Sequence, residues 1–175
     1  MEKITKQYVG INYTGKVKIS VVKNGKTLKT ISTHNLGCMG LFNCITNYLL
    51  GNFKVSYSPQ YLMIHHCEGE PDEDNLGTKL LNTNIYKASQ QQVEYEGLSA
   101  ARLRFLVPSS SFINEDTGNV LSLLNSNREV CAYVELDDAI DPTSLPVDSN
   151  LIIIWELRVG NSAEDIPIDG DEIEY

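Results

Sequence analysis

The run Leu151–Asn161, LIIIWELRVGN, constrains this chain more than any other stretch. Read as a strand, one face carries Leu151, Ile153, Trp155, Leu157 and Val159, all apolar. The other face carries Ile152 and Ile154, then Glu156 and Arg158. Alternation with period two marks a strand lying in a sheet, because successive side chains leave a pleated backbone on opposite sides. The first half is apolar on both sides and the second half on one. The run therefore predicts a central strand of a β core, with its Glu156/Arg158 end expected to face a partner. No residue in it suggests catalysis.

Upstream, the same periodicity recurs in short segments. Lys16–Lys23 alternates Val17, Ile19 and Val21 against Lys16, Lys18 and Ser20. Asn24-Gly25 follows, the preferred pair for a tight hairpin because both residues tolerate positive φ. Thr27–Thr33 reads as the return strand, although Leu28 and Ile31 do not alternate together, which predicts a bulge or a longer loop. Leu41, Ile45, Tyr48 and Leu49 then fall at helical spacing with Phe42 beside them. They predict a helix over residues 37–50 that packs this stripe on a sheet, with Asn35 as N-cap and Gly51 as terminator.

Tyr61–Cys67, Ala101–Val107 (closed by Pro108), Val120–Leu124 and Val130–Leu136 read as further strands. Glu68–Leu80, Asn82–Glu96 and Asp137–Asn150 read as loops. About seven short strands and one helix predict a mainly β protein, an antiparallel, jelly-roll-like β-sandwich with a single packed helix. A chain of 175 residues is most economically one domain, able to bury a core without metal or disulfide staples.

Charge is unevenly spread. The net charge is −9, yet residues 1–30 hold seven lysines against Glu2 alone. Residues 162–175 hold six acids and no base. This divides the chain into a basic N-terminal arm and hairpin (1–34), a body (35–161) and an acidic tail (162–175). The expected contact residues are Lys16, Lys18, Lys23, Lys26 and Lys29, the strand end Glu156 and Arg158, and Asp169, Asp171 and Glu172 in the tail. A lysine arm of this kind is expected to dock on an acidic surface of another copy or of a neighbouring protein. Nucleic acid is disfavoured as a partner, since the basic segment lacks arginine and the body would repel phosphate. No apolar run reaches the roughly 18 residues of a membrane span, and MEKITKQYVG lacks the apolar stretch of a secretory signal. Synthesis in the cytoplasm with no membrane partner is the expectation.

Candidate chemistry is sparse. The four cysteines (Cys38, Cys44, Cys67 and Cys131) show no CxxC pair and read as reduced and buried. In His65-His66-Cys67, alternation puts only His65 and Cys67 on one face, so at most two of the three could meet one ion. A closed zinc site needs four ligands and a catalytic one three, and only His34 remains as a further histidine. Asp72, Glu73, Asp74 and Asn75 resemble the start of a calcium loop, with Gly77 at the sixth position. Leu76 and Thr83, however, occupy positions where oxygen ligands belong. Cys44 or Cys67 with a histidine is the only nucleophile–base pairing to weigh, and no serine elbow or phosphate-cradling loop occurs. The expectation is a protein with no catalytic residues, no metal and no cofactor.

The order of segments is more telling than any single residue. NLGCMGLFNCITNYLLGN, a small polar opening, a glycine and an amphipathic helix ending in Leu-Gly, resembles a segment of tailed-bacteriophage virion proteins. There it precedes a strand and loop like YLMIHHCEGEPDEDNLGTKLLN, with Gly77-Thr78 and Leu80 or Leu81 standing for a "GT…L" pattern. Later, a strand ending at Val107-Pro108 and the block VLSLLNSNREVCAYVELDDAIDPTSLPVDSNLIIIWELRVGN look like the paired closing strands of the same proteins, with Trp155 in the last. The resemblance covers about residues 35–161. It implies a non-enzymatic virion subunit, oligomeric and in contact with neighbouring virion proteins. The implied roles are fibre attachment, a tail or baseplate component, or capsid decoration. The alternative is a carbohydrate- or host-surface-binding module, for which Tyr48, Tyr57, Tyr61, Tyr86, Tyr95 and Tyr133 would supply an aromatic platform.

Overall fold

The computed structural model describes residues 13–34, 36–37, 39–52, 54–67, 79–80, 86–87, 89–95, 98–112 and 117–160. In chain order the elements are β1 (Tyr13–Lys23), β2 (Lys26–His34), β3 (Leu36–Gly37), α1 (Met39–Leu49), β4 (Tyr61–His66), β5 (Lys79–Leu80), β6 (Tyr86–Lys87) and β7 (Ser89–Tyr95). They continue with β8 (Leu98–Pro108), β9 (Gly118–Leu124), β10 (Val130–Ile140) and β11 (Asn150–Gly160). All strand pairings are antiparallel and form two open sheets. One runs β2-β1-β11-β8-β7; the other runs β3-β10-β9-β4-β5, with β6 also on β4.

The pairing is nested: β1 with β11, β3 with β10, β4 with β9, and β7 with β8. Nested pairs of this kind are what a long hairpin gives when it is rolled up, which is the basis of a jelly roll. A regular jelly roll deals successive pairs to alternate sheets. Here the outermost and innermost pairs share one sheet and the two middle pairs share the other. The fold is a β-sandwich with its own winding.

The expected closing strand is the centre of the first sheet. β11 pairs along its length with β1 on one side and β8 on the other. Leu151, Ile153, Trp155 and Leu157 point into the main core with Val17 and Ile19 of β1, and Leu103, Phe105 and Val107 of β8. The second sheet contributes Leu62, Ile64, Leu121, Leu123, Ala132, Val134 and Leu136. On the opposite face, Ile152 and Ile154 form a small separate cluster with Val22. The first half of β11 is thus buried on both faces, as its pattern predicts.

The hairpin expected to be part of an arm is integral to the sandwich. β1 lies between β2 and β11, so no boundary after residue 34 separates it from the body. Asn24 (φ 51°) and Gly25 (φ 73°) are both left-handed, the geometry that a two-residue turn matching strand twist requires. The predicted irregularity in β2 is a bulge. Val21 faces Lys29 and Val22 faces Thr27, which leaves Leu28 without an opposite residue.

The helix corrects one expectation. Residues 36–37 pair with β10 as β3, and the helix starts at Met39 rather than residue 37. Leu41 is buried and Ile45 packs on the core, but Tyr48 and Leu49 are 66% and 72% exposed. The predicted stripe has the right spacing, yet only its N-terminal half lies over β10; the last turn runs past the sheet. Gly51 (φ 75°) ends the helix as expected, donating its N–H to Tyr48 O (3.0 Å) while Asn52 N–H reaches Asn47 O (2.8 Å). These are the two hydrogen bonds of a Schellman cap. The Asn35 cap lies outside the described residues.

Gly40 sets how closely the helix approaches the sheet, since a Cβ there would overlap the backbone carbonyl of Val130. Alanine normally gains roughly 1 kcal/mol over glycine inside a helix. In Gly40→Ala this overlap outweighs that gain, for an expected net loss of about 1–3 kcal/mol. The measurement is a urea unfolding curve; an unchanged or raised midpoint would show that the close contact carries no constraint.

Candidate interaction surface

The outward face of the first sheet carries a cross-strand row. Strand register sets Lys16, Glu156 and Arg102 side by side on β1, β11 and β8. Glu156 has 0% of its surface exposed. Arg102 Nη2 and Nε both donate to its Oε2, at 3.0 and 3.2 Å. The expectation that Glu156 faces a partner is therefore corrected: its carboxylate is covered within its own chain. Burying a carboxylate is costly unless a cation meets it with hydrogen bonds, and the planar guanidinium supplies that from the neighbouring strand. Arg158 lies opposite Thr14 and Ala100 in the ladder, and its side chain is outside the described residues. So are Asp169, Asp171 and Glu172.

The five lysines fall into two groups. Lys16 and Lys18 alternate with the buried Val17 and Ile19, so they stand on the sheet's outward face and are half-buried there. Lys23, Lys26 and Lys29 gather at the hairpin end, with Lys23 and Lys26 directly opposite each other across the turn. Lys26 and Lys29 are exposed. Lys29 Nζ lies 3.2 Å from Asp138 Oδ2, an ion pair open to solvent on both sides. Such a pair contributes at most about 1 kcal/mol.

Beside the hairpin is a cleft of about 220 Å³. Its walls are mainly apolar, with Leu28 and Ile31 of β2 facing Ile140, Leu145 and Pro146. This is below the roughly 300–1,000 Å³ of a typical small-molecule pocket, and suits one or two side chains. Asp141 borders it. Its carboxylate accepts from Thr143 Oγ1 (2.7 Å) and Thr143 N–H (2.9 Å), and these bonds hold it below the usual carboxylate range. With Asp138, which pairs with the cleft residue Lys29, it makes the far rim acidic. Sequence reading missed this rim because it ends β10 at Leu136, whereas the strand runs on to Ile140 through an irregular register with β9.

The other candidates are drawn into packing. His66 Nδ1–H donates to Thr117 O (2.8 Å), and Asn119 clasps the Cys67 backbone through both its N–H (2.7 Å) and its carbonyl (2.9 Å). His65 is buried, which pushes its pKa below the ordinary 6.5, and its Nε2 has no hydrogen-bond partner among the described residues. Among the described residues no three His, Cys, Asp or Glu side chains gather as metal ligands. Asp72–Asn75 and Cys38 lie outside them. Burial pushes the Cys44 thiol up, away from the reactive thiolate. Cys67 and Cys131 are buried.

Of the tyrosines, Tyr48 is exposed on α1, while Tyr57, Tyr61 and Tyr133 are half-buried. The side chains of Tyr86 and Tyr95 lie outside the described residues. Tyr61 does border a shallow cleft of about 250 Å³ with Asn125, Ser126 and Arg128. The Asn125 amide, though, is used locally. It accepts from Asn127 N–H (2.9 Å) and Glu129 N–H (3.0 Å) and donates to Glu129 Oε2. Among the described residues no helix is long and apolar enough to cross a membrane.

No family model, curated protein or solved structure matches this chain.

Two outcomes follow from the buried groups. Arg102→Ala takes two guanidinium hydrogen bonds from the buried Glu156 carboxylate and is expected to cost about 3–5 kcal/mol, whereas Arg102→Met with Glu156→Leu recovers most of that loss. Urea unfolding of the single and double variants checks both; a mild single variant would mean that Arg102 is not what makes the buried carboxylate tolerable. His65 supplies a pH effect. Because its folded pKa lies below 6.5, the unfolded chain takes up the proton first. Stability is steady above that value and falls as the pH drops below 6.5. Thermal melts of His65→Asn should lose this slope; an unchanged slope would assign it elsewhere.

Proposed function

We propose that this chain is a non-enzymatic structural subunit of a tailed-bacteriophage particle. It works as an oligomer on the particle surface or at an appendage or tail junction, in fibre attachment or decoration. It is made in the bacterial host cytoplasm and acts in the virion, with other copies and neighbouring virion proteins as partners. The observation that carries this reading is where the charge sits. A chain of net charge −9 collects Lys23, Lys26 and Lys29 at one end of a rigid sandwich, facing an acidic rim. Separated charge of this kind orients neighbouring molecules and fixes register between them.

The order of segments through residues 35–161 supports the reading from the sequence side. The sandwich supports it from the physical side, as its polar side chains are used to hold the block together. The mechanism is geometric: a stiff unit presents charged ends, and assembly aligns them.

Mass spectrometry of gradient-purified particles from the producing host tests the reading. The expected result is the protein at a fixed copy number per particle; its absence would reject a virion role. Deleting residues 1–12, which removes Lys3 and Lys6 without entering β1, should lower incorporation at physiological salt. Undiminished incorporation would reject the part assigned to the lysine arm.

A further inference from the structure

The hairpin end and the connection from β10 to β11 form one patch whose halves carry opposite charge. On the positive half, Lys23 and Lys26 are direct cross-strand neighbours, with Lys29 close by. Like charges in that relation destabilise a hairpin, and neither lysine has an ion-pair partner among the described residues. On the negative half stand Asp138, paired with Lys29, and Asp141 at the edge of the cleft. The Lys29–Asp138 pair joins the halves and is exposed on both sides.

Between the halves the surface is apolar and open. Leu28 is 56% exposed, because the bulge leaves it with no opposite residue. It stands at the mouth of the cleft that Ile31, Leu145 and Pro146 help to line. Val147, at the turn closed by Ser149 N–H on Pro146 O (3.1 Å), is 76% exposed.

A patch with a positive half, a negative half and an apolar middle is its own complement. Turned about a two-fold axis through its centre, the lysines of one copy face the aspartates of the other, twice over, while the apolar centres meet. Two chains of net charge −9 repel each other, so this orientation is favoured over others. We infer that the patch is a two-fold docking surface for a second copy of this chain. The inference deepens the lysine-to-acid contact of the proposed function: it names the acidic surface and makes the contact reciprocal.

Sedimentation velocity on the full chain at low salt, up to about 100 µM, tests it. The wild type should form a reversible dimer that weakens as salt rises. Lys23→Glu with Lys26→Glu exchanges one like-charge pair for another, so the hairpin keeps its internal balance. That variant, and separately Asp138→Lys, should each raise the dissociation constant about tenfold or more. An equimolar mixture of the two should restore association as a 1:1 heterodimer, since each then offers what the other lacks. Leu28→Asp changes an exposed position and should abolish the dimer without affecting the fold by circular dichroism. If the aspartate variant fails to fold, the lysine and Leu28 variants decide, and both must lose the dimer. A monomeric wild type, an unweakened lysine variant, or a folded pair that does not associate when mixed would overturn the inference. A monomer that is still found on particles would overturn the dimer alone. A dimer absent from particles would overturn the virion role alone.

Discussion

Everything in this sandwich hangs on β11 being enclosed. It is hydrogen-bonded on both edges, by β1 and β8, and covered on both faces. Trp155 is fully buried on the core side, and Ile152, Ile154 and Glu156 are buried on the other. The second sheet packs on what β11 and its neighbours present. The first and last strands of the described fold are partners, so residues 13–160 must all be present before its central ladder can close. Contacts so distant in sequence favour slow, cooperative folding over stepwise assembly.

Glu156 shows what that enclosure demands. A carboxylate in the middle of a closed ladder needs a cation that meets it with hydrogen bonds, and strand register brings Arg102 beside it, with two hydrogen bonds to one oxygen. The pair adds little to net stability compared with an apolar pair of similar shape, but it penalises any slip in register. A shift of one residue between β8 and β11 would turn Arg102 to the other face and take both its hydrogen bonds from the buried Glu156. The pair thus acts on register more than on stability.

Much of this was legible in the sequence. The alternation in Leu151–Leu157 fixes a central strand, Asn24-Gly25 fixes the hairpin turn, and the clash between Leu28 and Ile31 foretells the bulge. Three features were not legible. Glu156 reads as solvent-facing because a strand pattern records one strand's polarity and not its neighbours' counter-charges. Tyr48 and Leu49 read as core because helical spacing does not say where the underlying sheet stops. Asp137, Asp138 and Asp141 read as loop because an irregular strand end has no clean period. The surface proposed for contacts is made of such parts, brought together by topology and separated by more than a hundred residues in sequence.

The patch and the core ask opposite things of the backbone. The hairpin end keeps two lysines face to face beside a bulge, on an edge strand open to water, where local opening is cheap. β11 has no such freedom. Native-state hydrogen exchange on the full chain measures both at once. Amides of residues 151–157 should exchange only through global unfolding, with protection equal to the whole unfolding free energy, while those around residues 24–29 exchange by local opening. If β11 amides instead exchanged faster than those of β9 and β10, the closing strand would not be the element on which the sandwich depends.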